Sequence, residues 1–320
     1  MSPNISSKRS RNQMKQPLNT TYKYDEHAME LNPNSQEYKD ILDQLAKKGE
    51  FDVHTTKFST HNMKDINGKY VYVPKNILYK ITRTVLKILL YVFRPIVNGF
   101  AFNLKIKGRK NLKGIKSAIT ISNHVHYLDI LMNMQAVNKK NFYVVAANHN
   151  MKRGPIGYIF KACGVLPLSN SLDASINLNR TIKEILKKGG FIHMYAESAL
   201  WFRYERSRPL KIGAFKIASE NNVPVVPIVI LFREKKKYEF FRHKKTITIQ
   251  IGKPIYPRAD LSVRESANIM KDECQKYYND TVCDFYGYDK ETYSIYISPK
   301  KSAEPDETKD PETENSKKEH

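Results

Sequence analysis

The sequence predicts an α/β fold preceded by a membrane-interfacial helical segment, on three observations. Short apolar runs alternate with helical patterns from about residue 100 to 260. The pair Gly189-Gly190 separates one helical pattern from the run FIHMYA, as a helix C-terminus followed by a strand would. Ahead of the alternation, NILYKITRTVLKILLYVFRPIVNGFA (76–101) is distinctly apolar.

Residues 1–22 are polar, basic and without period, and read as a disordered tail. Residues 23–75 form an N-terminal extension in which SQEYKDILDQLAKKGEF carries a helical pattern. In 76–101 the apolar character comes from Ile77, Leu78, Ile81, Val85, Leu86, Ile88, Leu89, Leu90, Val92 and Phe93. Lys80, Arg83, Lys87 and Arg94 interrupt it, and Pro95 should kink it. The uninterrupted run is far shorter than the ~20 residues of a spanning helix. A helix lying in the interface, its basic side chains snorkelling to lipid phosphates, fits better; a buried helix packed on the domain is the alternative.

The α/β domain is expected over 102–260. Its strands are SAITIS, FYVVAA, GVLPL, FIHMYA, VPVVPIVIL and TITIQIG, with helices at 128–137, 155–163, 173–188 and 211–221. A further helix at 261–283 opens a C-terminal helical extension over 261–301, and 302–320 reads as a disordered charged tail.

Lys and Arg number 54 against 32 Asp and Glu, a formal charge of +22. That surplus implies an anionic partner: nucleic acid, a membrane face or a phosphorylated substrate. No RRM, KH, zinc-finger or helix-turn-helix signature accompanies the charge, so no nucleic acid is expected. Cys163, Cys274 and Cys283 are scattered, which suggests packing residues in a reducing compartment. The opening MSPNISSKRSRNQMKQ has no apolar signal core, so the expected location is the cytoplasmic face of a membrane.

The segment ITISNHVHYLDIL (119–131) sets two histidines and an aspartate where a strand should give way to a helix. His124 and His126 would share a face of an extended strand, and Asp129 could complete a metal site. An HxHxDH metal site, however, needs the acid two residues after the second histidine and a histidine after it. Here the acid comes three residues later and Ile130 follows, so no metal is expected. Alternatively, His124 sits in the turn before the helix and Asp129 in its first turn. The carboxylate then holds one imidazole nitrogen and leaves the other to take a proton. A capping acid beside a surface histidine would read the same way. The segment alone leaves these open.

Three further blocks follow it. Together with SNHVHYLD, which resembles an NHx4D signature, KACGVLPLSNS (161–171), MYAESALW (194–201) and RPLKIGAFKIA…NNVPVVPIVI (208–230) resemble the glycerolipid acyltransferase family in order and spacing. MYAESALW is similar to that family's FPEGTRS block. The resemblance covers about 85–260. It implies a central mixed β-sheet flanked by helices and an O-acyltransferase that needs no cofactor or metal. Its co-substrate would be acyl-CoA or acyl-carrier protein. Its acceptor would be a lysophospholipid, 1-acylglycerol-3-phosphate foremost, at an anionic membrane surface. His124 and Asp129 become the catalytic pair and His126 a bystander. The expected substrate-binding residues are Asn123, Glu197, Ser198, Arg203, Arg206, Arg208 and Lys211.

Two departures stand out. Ser198 and Leu200 occupy the glycine and arginine positions of the third block, and Ser169 and Asn170 fill the region where the second block has an arginine. Arg203, Arg206, Arg208 and Lys211 are the cations expected to replace those arginines on a phosphate. A different lysolipid acceptor, or a membrane-associated relative without activity, are the alternatives that these departures raise; the intact His124 and Asp129 argue against the latter.

Overall fold

The computed structural model describes residues 23–56, 61–234 and 245–297. The tails expected at 1–22 and 302–320 lie outside these residues, as does most of the basic run 233–237.

Helices α1 (Glu26–Glu30) and α2 (Gln36–Lys47) come first, their free N–H groups met by Asp25 and Ser35. Helix α3 (Ile77–Phe102), capped by Asn76, leads into strand β1 (Lys105–Lys107). The alternation then runs β2 (Ala118–Ser122), α4 (Asp129–Val137), β3 (Phe142–Ala146), α5 (Pro155–Cys163) and β4 (Val165–Pro167). It continues through α6 (Leu172–Lys187), β5 (Phe191–Met194), α7 (Gly213–Glu220), β6 (Val225–Glu234) and β7 (Lys245–Ile251). Helix α8 (Val263–Tyr286), closed at its start by a Ser262–Glu265 capping box, and α9 (Lys290–Ile297) end the described chain.

The strands form one mixed sheet in the order β1-β7-β6-β2-β5-β3-β4, with β6 and β7 antiparallel and every other neighbouring pair parallel. Helices cover both faces, which is why β2 is buried at all five positions and shows no polar alternation. Ile119 and Ile121 enter one core cluster while Ala118 enters the other. Strand β2 pairs with β5 through Ile119↔Ile192 and Ile121↔Met194. Being parallel neighbours, the two strands deliver the loops 123–128 and 195–212 to the same carboxyl edge of the sheet, where open α/β sheets place their sites.

Helix α3 departs from expectation at Pro95 and in where its basic side chains go. It runs unbroken through Pro95 for 26 residues, and by length and composition it is long enough to cross a membrane. What decides its disposition is the polar stripe. Tyr79 and Arg83 donate to the carbonyls of Lys161 and Ala162, and Lys87 donates to that of Lys140. Arg94 donates to Met134 O and Asn98 to Leu131 O, so the helix is lashed to the domain along nearly its whole length. The opposite face, with Ile77, Ile81, Val85, Ile88, Val92, Ile96 and Phe100, is exposed. The helix therefore lies along the domain with an apolar face outward, as an interfacial element does. Arg83, Lys87 and Arg94, expected to snorkel to lipid, instead face the protein. Burial, reinforced by Arg83, lowers the Lys87 ammonium to about 7.

Candidate active site

The turn after β2 is built by backbone and amide hydrogen bonds. Asn123 donates from Nδ2 to Ile230 O at 2.9 Å and accepts from Ile230 N–H at 2.8 Å, tying the end of β2 to β6. Three residues on, His126 accepts the Leu128 N–H at Nδ1 (3.0 Å), and its carbonyl accepts the Asp129 N–H (3.1 Å). This local wrap delivers Asp129 as the first residue of α4. His124 Nδ1 and Asp129 Oδ2 then meet at 2.7 Å. The carboxylate fixes the proton on Nδ1, and Nε2 carries no hydrogen bond among the described residues. The His124 side chain is 24% exposed and that of Asp129 2%, so the pair opens outward on the imidazole side.

Tyr195, just past the end of β5, was not singled out from the sequence. Its hydroxyl donates to Asp129 Oδ1 at 2.6 Å, and its ring stacks on His124 with centroids 4.0 Å apart. Burial and the Asp129 charge hold the phenol well above its ordinary pKa, so it stays a donor. Beneath it His193 is enclosed by Thr120 Oγ1 (3.0 Å), Ser122 Oγ (3.2 Å) and Asn133 Nδ2 (3.1 Å). Burial lowers His193 to about 3, leaving it neutral.

The third block forms the opposite wall. Glu197 is buried; Oε2 accepts the Arg208 guanidinium at 2.8 Å and the His124 N–H at 3.2 Å, while Oε1 accepts the Arg208 N–H at 3.0 Å. Arg208, fully buried over the Trp201 ring, also donates to Ala199 O (2.7 Å) and His124 O (3.3 Å). Trp201 N–H and Arg203 N–H donate to His124 O and Val125 O at 3.1 and 2.8 Å, lacing the two loops together. Ser198 adopts φ 70°, the left-handed conformation for which the resembled block uses glycine.

The N-terminal extension covers this wall. Trp201 Nε1 donates to Val53 O at 2.8 Å, its ring stacks with Phe51, and Phe202 N–H donates to the Tyr38 hydroxyl. Leu200, at the block's arginine position, is buried, and its carbonyl accepts from Thr55 Oγ1. The expected substitute cations follow suit: Arg203 bonds Asn34, Arg206 pairs with Asp43 at 4.0 Å, and Lys211 pairs with Asp52 at 2.5 Å. Asn123, Glu197 and Arg208 are thus engaged in holding the loops around His124. Arg203, Arg206 and Lys211 are engaged with the extension, not gathered as a phosphate-facing cluster. Ser169, in the second block, donates to Ile66 O at 2.7 Å and likewise anchors the extension.

Other histidines share the electrostatic surroundings. Burial, with the charges of His54, Lys152 and His124, lowers His149 to about 4; burial, then His124 and Arg208, lowers His54. Among the described residues no group of three or more His, Cys, Asp and Glu side chains is placed to hold a metal ion. The interfacial helix ends beside the site: Phe102 meets His126 edge-on at 5.0 Å, and Tyr127 and Leu128 are exposed.

Residues 103–231 match the acyltransferase family. The chloroplastic 1-acyl-sn-glycerol-3-phosphate acyltransferase BAT2 of Brassica napus is 28% identical over 179 residues, 52% of this chain and 49% of that protein. The human 1-acyl-sn-glycerol-3-phosphate acyltransferase beta is 24% identical over 195 residues, 55% of this chain and 64% of that one. The Saccharomyces cerevisiae enzyme is 28% identical over 160 residues, 48% and 52% respectively. The chain spans roughly half the length of these relatives. The crystal structure of the 1-acyl-sn-glycerophosphate acyltransferase PlsC from Thermotoga maritima has a TM-score of 0.47 and 14% identity, covering 68% of this chain and 86% of that one. The region that matches the acyltransferase family, residues 103–231, holds the His124–Asp129 pair and the Glu197 wall around it.

Proposed function

We propose that this chain transfers a fatty acyl group from an acyl thioester, acyl-CoA or acyl-carrier protein, to the free hydroxyl of a lysophospholipid at a membrane surface. The acceptor favoured by the names of its relatives is 1-acylglycerol-3-phosphate, giving phosphatidic acid. The observation that carries the reading is the 2.7 Å His124–Asp129 contact with Nε2 left open. Asp129 holds the tautomer and stabilises the imidazolium as it forms. His124 Nε2 takes the hydroxyl proton while the oxygen attacks the thioester carbonyl carbon. The tetrahedral intermediate collapses with cleavage of the C–S bond, and His124 returns the proton to the thiolate. No group is transferred to the protein, so the acceleration comes largely from holding two substrates in line. The apolar face of α3, ending against the 123–128 loop, supports delivery of the acceptor from the lipid surface.

A second reading differs only in the acceptor headgroup. It is favoured by Leu200 at the arginine position and by the pairing of Arg206 and Lys211 with Asp43 and Asp52. A panel of lysolipids with different headgroups, assayed with one acyl-CoA, separates the two. Preference for the phosphate monoester supports the first; preference for a diester or uncharged headgroup supports the second.

A further inference from the structure

We infer that Tyr195 is a positioning residue for the catalytic dyad, holding the Asp129 carboxylate and the plane of the His124 imidazole at once. The inference rests on the acyl-transfer reading of the site. A carboxylate held by one hydrogen bond rotates readily about its terminal torsion, which has a broad minimum. Here each oxygen has its own donor: His124 Nδ1 to Oδ2 at 2.7 Å, and the Tyr195 hydroxyl to Oδ1 at 2.6 Å. The same phenol ring lies 21° from parallel to the imidazole at 4.0 Å, so imidazole tilt is limited by the side chain that limits carboxylate rotation.

Tyr195 is itself held. Its ring meets His193 edge-on at 4.9 Å and 87°. His193 is fixed by Thr120 and Ser122 on β2 and by Asn133 on α4. Orientation thus passes from the centre of the sheet to the dyad through one ring. The FPEGTRS block that MYAESALW resembles has phenylalanine at this position, which can stack but cannot donate. In this chain the hydroxyl performs the half of the task that stacking cannot.

During the reaction Tyr195 keeps its proton. The hydroxyl proton of the acceptor goes to His124 Nε2 and then to the departing thiolate; the Tyr195–Asp129 bond draws charge toward Oδ1 and away from the imidazole side. Removing the donor concentrates charge on Oδ2 and strengthens the hold on protonated His124. The titratable and charged groups around His124 are Asp129, Tyr195, Glu197 and Arg208, with His54, His149 and His193 further out.

The test uses full-length Tyr195→Phe. We expect kcat about ten- to hundredfold lower, as for loss of a hydrogen bond to a charged group, with the acyl-donor KM within about twofold. The acid limb of the kcat/KM profile should move to higher pH. In 15N NMR, which needs no turnover, the His124 titration should move the same way. Tyr195→Leu, which also removes the stacking ring, should lose more than Tyr195→Phe. The loss in a Tyr195→Phe/Asp129→Asn double variant should be smaller than the product of the single losses. An unshifted His124 titration, or multiplicative losses, would overturn the inference. Wild-type protein that transfers no acyl group would instead overturn the functional reading, while the NMR arm still decides the role of Tyr195.

Discussion

Arg208 and Glu197 form an ion pair at 2.8 Å with both side chains fully buried, and the carboxylate of that pair also accepts the backbone N–H of His124. Charge removed from water this completely is held only by its partners. Glu197→Ala leaves a buried guanidinium without its counter-charge and should cost about 3–5 kcal/mol of stability. Urea unfolding measures it. A loss under about 1 kcal/mol would show that the pair is not what holds the loop.

Ser198 pays a conformational cost at φ 70° that glycine would not. Ser198→Gly should stabilise the fold by up to about 1 kcal/mol, less the extra chain entropy of glycine. A raised melting temperature checks it; a lowered one would mean that the exposed hydroxyl has a partner of its own.

The two faces of α3 make opposite predictions. Ile88→Asp with Val92→Asp places charge on the exposed face and should lower vesicle binding about tenfold or more without lowering the melting temperature. Arg94→Ala removes the bond to Met134 O from the buried stripe and should lower the melting temperature. Co-sedimentation with phospholipid vesicles and thermal melts on the same preparations check both. Equal vesicle binding by the aspartate variant and wild type would contradict the lipid-facing assignment.

Buried neutral histidines fix the direction of the pH dependence. His193 titrates at about 3 and His149 at about 4 in the fold, against ~6.5 in an unfolded chain. The unfolded state therefore takes up protons first. Their contribution is complete above about pH 6.5 and declines as the pH falls toward those values, by up to ~1.4 kcal/mol per pH unit for each group. Stability curves between pH 7 and 4 should show the decline, and His193→Gln should flatten it.

Much of this arrangement was legible in the sequence because local pattern and global fold agree. The six strands FIHMYA among them, and the helices between, follow from apolar runs of strand length separated by helical periods. The His124–Asp129 pair was one of three readings that the local segment left open, and the resemblance of the four blocks together selected it; the contact forms within one local turn. Strand β1 was not, since three residues reading Lys-Ile-Lys carry no pattern of their own and owe their state to β7. The destination of the basic side chains on α3 was hidden for a related reason: Arg83, Lys87 and Arg94 recur at helical spacing as a stripe, but only the surface they meet says whether it faces lipid or protein. The partners of Arg203, Arg206 and Lys211 come from the N-terminal extension, and Glu197 reaches both Arg208 in its own loop and the backbone of His124, which no spacing reveals. Tyr195 was hidden because a tyrosine ending an apolar strand usually signals packing alone.

In the proposed reaction His124, oriented by Asp129, removes a proton from an acceptor hydroxyl as it attacks an acyl thioester. Purified protein given acyl-CoA and 1-acylglycerol-3-phosphate in phospholipid vesicles, wild type against His124→Ala, tests it most directly. Wild-type protein should transfer the acyl group, and the variant should lose at least about a hundredfold while keeping its fold. Undiminished transfer by His124→Ala would contradict it.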